Sequence, residues 1–177
     1  MHTGYNFTKE GVVTPFEISK GVIVPADTYD HGEVQLVLIT NPSKPVSISA
    51  RSVMGGFFGG KRYANSATVN LIFGDKFNGS FGFSHNDIRL PNGDFTTDVF
   101  RARLAYSFTP NIFAQSLIQY NSVADVWSTN IRFGWLQQAN TGLFLVYNEN
   151  RGRADLVDGV LNRSFIVKYS RVFDVIK

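Results

Sequence analysis

Apolar and polar positions along this chain alternate with period two, in segments of roughly ten residues separated by turn-forming residues. Between positions 78 and 86, Phe81 and Phe83 alternate with Ser80, Gly82 and Ser84. Between 126 and 136, the phase of Trp127, Ile131, Phe133 and Trp135 alternates with Ser128, Asn130, Arg132 and Gly134. A strand points successive side chains to opposite faces, so each segment has one apolar and one polar side. The pattern predicts strands over residues 16–24, 33–40, 46–54, 63–73, 77–86, 97–108, 112–121, 126–136, 143–148 and 164–173. One β domain over residues 1–177 follows, with 1–32 as a loop-rich lead-in or the remnant of a longer barrel.

The connections also alternate in character. Residues 41–44, 74–76, 109–111 and 137–142 read as compact turns, whereas 55–62, 87–95 and 149–163 read as longer loops. Barrels of bacterial outer membranes have short turns on one side of the bilayer and longer loops on the other. Aromatic residues stand beside turns at Tyr106, Phe108, Tyr120, Tyr169 and Phe173, as in the aromatic girdles of such barrels. The expected fold is therefore all-β: an antiparallel up-and-down barrel of about eight to ten strands, or the C-terminal part of a larger transmembrane barrel.

In a membrane barrel, Phe81, Phe83, Leu104, Tyr106, Phe133 and Trp135 would face lipid. Arg51, Arg101, Arg103, Gln115, Gln119, Asn130 and Arg132 would line the lumen and favour polar or anionic solutes. A small soluble barrel inverts this, holding an apolar ligand between inward-facing Phe81, Phe83, Leu104, Phe133 and Trp135. Periodicity is identical in the two cases.

Composition narrows the classes. With 16 Phe and 16 Gly and no helical spacing of helix formers, an all-β chain is favoured. The absence of cysteine excludes a disulfide framework and a thiolate metal site. No run approaches the roughly 20 apolar residues of a transmembrane helix, so any crossing would be made by strands. Positions 1–6 show no basic stretch leading into an apolar one, and no signal peptide is read there. The net charge of +3 is dispersed between aromatic residues, unlike the concentrated basic stripe of a nucleic-acid binder.

Candidate chemistry is sparse. The run Gly55 Gly56 Phe57 Phe58 Gly59 Gly60 Lys61 has phosphate-loop spacing, but Arg62 stands where a magnesium-binding hydroxyl is needed and a strand pattern follows, so it reads as a glycine hinge. His2, His31 and His85 are not paired at metal-ligand spacing. His85 extends the phase of Phe81 and Phe83; with a serine partner it could serve a lipid-facing hydrolase, but sequence assigns no serine to it, and an interfacial residue is the plainer reading. Asp155, Asp158 and Glu149 lack the spacing of a calcium loop and read as a solvated acidic loop. Asn6, Asn78 and Asn162 begin Asn-x-Ser/Thr triplets that carry no weight here. No cofactor or metal is expected.

From Asn86 onward the runs NDIRLPNGDFTTDVFRARLAYSFTPNIFAQSLIQYNS, STNIRFGW and LFLVYNE resemble the C-terminal barrel of bacterial outer-membrane proteins of unknown function whose full-length members carry an N-terminal, family-9-like carbohydrate-binding module. The earlier PFEISKGVIVPADTYD and FFGGKR are similar to that family's preceding segments. The resemblance implies the distal part of a barrel in a Gram-negative outer membrane, with outer-membrane lipid and carbohydrate or another polar solute as partners. It implies no enzymatic reaction and supplies no catalytic residue. Against the full-length pattern this chain lacks the module, so N-terminal barrel strands or the module itself are further expected partners, and it runs past Phe173 to Lys177 where such strands commonly finish on an aromatic residue.

Overall fold

Strands make up 82% of the chain in the computed structural model, which describes residues 1–138, 141–152 and 159–171, and the described residues contain no helix. The fold is an all-β, antiparallel, up-and-down meander of barrel-like form. Its ten-stranded sheet is ordered β1(His2–Val12), β4(Asp27–Ile39), β5(Val46–Phe57), β6(Gly60–Phe73), β7(Phe77–Leu90), β8(Gly93–Thr109), β9(Ile112–Asn121), β10(Val126–Gln138), β11(Thr141–Gly152) and β12(Val160–Ser170). A separate hairpin pairs β2(Phe16–Ser19) with β3(Val22–Val24). Among the described residues, β1 and β12 each pair on one side only.

Three sequence expectations change. The strand predicted over 16–24 is the β2–β3 hairpin, because Lys20 and Gly21 turn the chain: Gly21 sits at φ +80°, and its amide donates to Glu17 Oε1 at 2.6 Å. Strand β1, unforeseen, pairs with β4 along its whole length. The loops predicted at 55–62 and 87–95 are strand ladders that run up to two-residue turns.

The first of these turns explains the glycine run. Phe58 at φ 44° and Gly59 at φ +77° are both left-handed, the signature of a type I′ hairpin turn, whose twist suits the flanking strands. Phe58 pays for this backbone with packing: its ring lies 5.8 Å from Phe16, 5.3 Å from Tyr29 and 4.6 Å from Phe57. Gly60 is needed for close approach, since a Cβ there would stand 2.0 Å from the Arg89 carbonyl oxygen.

Directly opposed residues of an antiparallel pair share a face, so the registers sort the whole sheet. One face carries Arg51, Ser66, Ser84 and Val99 abreast on β5, β6, β7 and β8; the other carries Ala50, Ala67, Phe83 and Phe100. The buried apolar cluster lies on the first, otherwise polar, face at one end of the sheet. There Val22 and Val24 of the hairpin pack on Phe58, Ile88 and Leu90, with Val12, Tyr29, Phe57 and Phe95 around them. Asn92 Nδ2 donates to the Ile23 carbonyl at 2.9 Å and ties the hairpin to the β7–β8 turn.

Candidate functional site

The polar face below the hairpin is a basic trough with a floor of hydroxyl and amide groups. Arg51, Arg101, Arg103, Gln115, Gln119, Asn130 and Arg132 all fall on this face, because the registers from β5 to β10 set them in one phase. Phe81, Phe83, Leu104, Tyr106, Phe133 and Trp135 all fall on the opposite face. Alternation within each strand was legible in sequence; the common phase across strands comes from register alone.

The same face holds Asn70, on the polar phase with Ser66 and Thr68, and groups that sequence reasoning missed: Arg62, Asn86, Asn148 and Lys168. Arg62 was concealed by the reading of 55–62 as a loop. Its guanidinium pairs with the buried Glu33 carboxylate and lies 4.7 Å from the centre of the Phe57 ring, beneath the hairpin. His31 is buried beside them, and its Nδ1 has no protein partner there.

Cross-strand bonds hold the floor in place. Ser80 Oγ donates to Asn70 Oδ1 at 2.9 Å, Asn86 Nδ2 to Thr97 Oγ1 at 2.8 Å, and Asn148 Nδ2 to Ser164 Oγ at 3.1 Å. Arg51 Nη2 donates to Gln35 Oε1 at 2.7 Å, which steers the cation without neutralising it. Arg132 lies over Phe144 at 4.9 Å and Phe113 at 5.8 Å, contacts that likewise leave its charge in place. Arg101 and Arg103 are exposed and have no acidic partner among the described residues.

The charge distribution is one-sided. On the described strands the carboxylates of this face are Glu10, Asp27 and Glu33, all toward the hairpin end. Arg51, Arg101, Arg103, Arg132 and Lys168 occupy the remainder with no acid among them, so the trough presents a positive field. Three cavities line it: about 230 Å³ between Arg51 and Arg62, about 190 Å³ beside Arg101, and about 280 Å³ between Arg103, Gln115 and Asn130. Among the described residues no His, Asp and Glu side chains gather as a metal site; Asp155 and Asp158 lie outside them.

The opposite face is an apolar band between aromatic rows. Phe83, Phe100, Tyr120 and Trp127 stand abreast on β7 to β10, with Tyr120 and Trp127 ring centres 4.8 Å apart. Toward the other end, Phe73, Phe77 and Tyr106 stand abreast on β6 to β8, and Trp135, Leu143 and Tyr169 on β10 to β12. Between them lie Val69, Phe81, Ala102, Leu104, Ile131 and Phe133. Beyond the first row this face becomes ionic: Arg89 pairs with Asp87 at 2.8 Å, His85 Nδ1 lies 2.7 Å from Asp98 Oδ1, and Glu149 binds Tyr147, Arg151 and Arg163. No described serine hydroxyl is hydrogen-bonded to His85.

Compared with protein families, curated proteins and solved structures, the chain matches none.

Proposed function

We propose that this chain is a β-barrel protein of a Gram-negative outer membrane, or the C-terminal part of one, whose basic trough passes or holds polar and anionic solutes. The observation that carries the reading is the exposure of the apolar face. Phe83, Ile131 and Trp135 are 51%, 45% and 52% exposed, whereas a soluble barrel would turn that phase inward as a packed core. Here the buried apolar cluster belongs to the other face, under the hairpin.

Dimensions agree with a bilayer. Trp127 and Trp135 are eight residues apart on β10. At about 3.4 Å per residue and a tilt of about 40°, that spans ~20 Å along the membrane normal, close to the ~25 Å apolar band of such barrels. No described helix is long and apolar enough to cross a membrane, so strands would make the crossing. An even count of ten strands runs β1 antiparallel to β12, as closure of an up-and-down barrel needs, whether edge to edge or through further strands.

The trough's uncompensated arginines would raise the local concentration of anions and steer them inward. Carbohydrate is the solute class that the family resemblance adds, and acidic sugars fit both that resemblance and the charge. The role is non-enzymatic: the side chains of the trough recognise and guide a solute.

Refolding into liposomes, followed by planar-bilayer recording, tests the proposal. The expected result is a heat-modifiable, protease-protected species with anion-selective conductance, and a reversal potential that moves toward cations when Arg101 and Arg103 are both changed to Gln. A chain that is compact and soluble without detergent overturns it and favours the soluble ligand-binding fold.

A further inference from the structure

On the apolar face, four strands contribute one polar side chain each to a continuous row: Ser52 of β5, Asn65 of β6, His85 of β7 and Asp98 of β8 stand directly opposite in succession. Ser52 Oγ donates to Asn65 Oδ1 at 2.7 Å, and His85 Nδ1 lies 2.7 Å from Asp98 Oδ1. The row sits one side-chain layer beyond Ala50, Ala67, Phe83 and Phe100, at the boundary where the apolar band ends.

Against this row opens an apolar groove of about 330 Å³, lined by Leu36, Leu38, Ala50, Ala67, Phe83 and His85. Its shape follows from residue size. Leu38, Ala50, Ala67 and Phe83 lie on four successive strands, so two alanines form a floor between a leucine wall and a phenylalanine wall. At about 4.8 Å per strand the walls' backbones are ~14 Å apart, leaving a trench the width of a hydrocarbon chain once the side chains are added.

The hydrogen-bonding inventory of the row is incomplete in an informative way. Asn65 spends its carbonyl on Ser52, and its amide donors have no partner among the described residues. His85 donates from Nδ1 to the Asp98 carboxylate, which leaves its Nε2 an acceptor and Asn65 the donor of the row. Lys61 is an exposed cation four residues from Asn65 on the same face of β6. Donors at the end of an apolar trench, with a cation beyond, match the order of a phospholipid: acyl chain, ester oxygens, phosphate. With its proton committed to Asn65, Ser52 takes part as a member of this row and not as a nucleophile.

We infer that the groove holds one acyl chain of a membrane phospholipid, with the Asn65 amide donating to its ester oxygens and Lys61 binding its phosphate. The inference rests on the membrane reading above. The test is native mass spectrometry of the full chain refolded in detergent with dioleoyl phosphatidylglycerol added, fold being checked by heat-modifiable migration. The expected result is one retained lipid on the unaltered chain. Ala67→Phe, which fills the trench, and Asn65→Leu, which removes the donors, should each weaken retention about tenfold, or about 1.4 kcal/mol. Ala114→Phe, on the same face of β9 away from the groove, should leave retention unchanged. Folded protein that retains no lipid, or equal retention by Ala67→Phe and Ala114→Phe, overturns this inference alone. Failure to fold in detergent or vesicles overturns it together with the membrane reading.

Discussion

The two ends of the polar face are built on the same strands yet have opposite chemistry. Strand β5 contributes Phe57 at one end and Ser47, Ser49 and Arg51 at the other; β8 contributes Phe95 and then Arg101 and Arg103 in the same phase. What separates the ends is the β2–β3 hairpin, which covers the first and leaves the second open. Where a second layer removes water, aromatic and aliphatic side chains gain by burial; where none does, charges remain hydrated and the face stays polar. Strand phase therefore specifies which side chains share a face, and the presence of a covering layer specifies what that face is for.

The largest effect should come from the turn under the cap. Phe58→Ala deletes a buried ring that packs on Phe16, Tyr29 and Phe57, and should cost about 3 to 5 kcal/mol in urea unfolding of the refolded chain. Next, Phe133→Arg on the apolar face should cost about 2 to 4 kcal/mol in a bilayer, whereas Asn130→Arg on the polar face should stay within about 0.5 kcal/mol. Equal costs for that pair would erase the distinction between the faces. Val24→Ala, at the least exposed side chain of the cap, should cost about 1 to 2 kcal/mol. Asn92→Ala loses one exposed bond to the hairpin and should cost about 0.5 to 1 kcal/mol, seen as faster hydrogen exchange of the β2–β3 amides. Smallest in stability, Arg101→Gln with Arg103→Gln should shift unfolding by less than about 0.5 kcal/mol while altering ion selectivity, so that the open end is separable from the capped one.

The fold class was readable because a period of two is local information, carried by neighbours such as Phe81, Gly82 and Phe83. Turn chemistry was harder. A pair of phenylalanines inside a glycine run reads as a flexible loop until Phe58 is seen in a left-handed conformation held by Phe16 and Tyr29, residues distant in sequence. Strand β1 was missed because its alternation of Tyr5 and Phe7 with Asn6 and Thr8 is short and interrupted by Gly4 and Gly11. For the trough, the polar phases of the strands between residues 46 and 136 were visible, and Arg62, Asn148 and Lys168 joined it only when register put them beside Glu33, Asn130 and Phe144.

By itself, the sequence determined that the chain is all-β and two-sided, with aromatic residues near strand ends and no helix fit to span a bilayer. These properties follow from the order of side chains along single strands. Only the tertiary structure decided that the hairpin caps one end of the polar face, that the arginines share one uncompensated surface, and that Ser52, Asn65, His85 and Asp98 form a row beside a groove. Each of those depends on which residues of different strands stand opposite one another. Long-range backbone pairing sets that register, and a shift of one residue would send every one of these side chains to the other face.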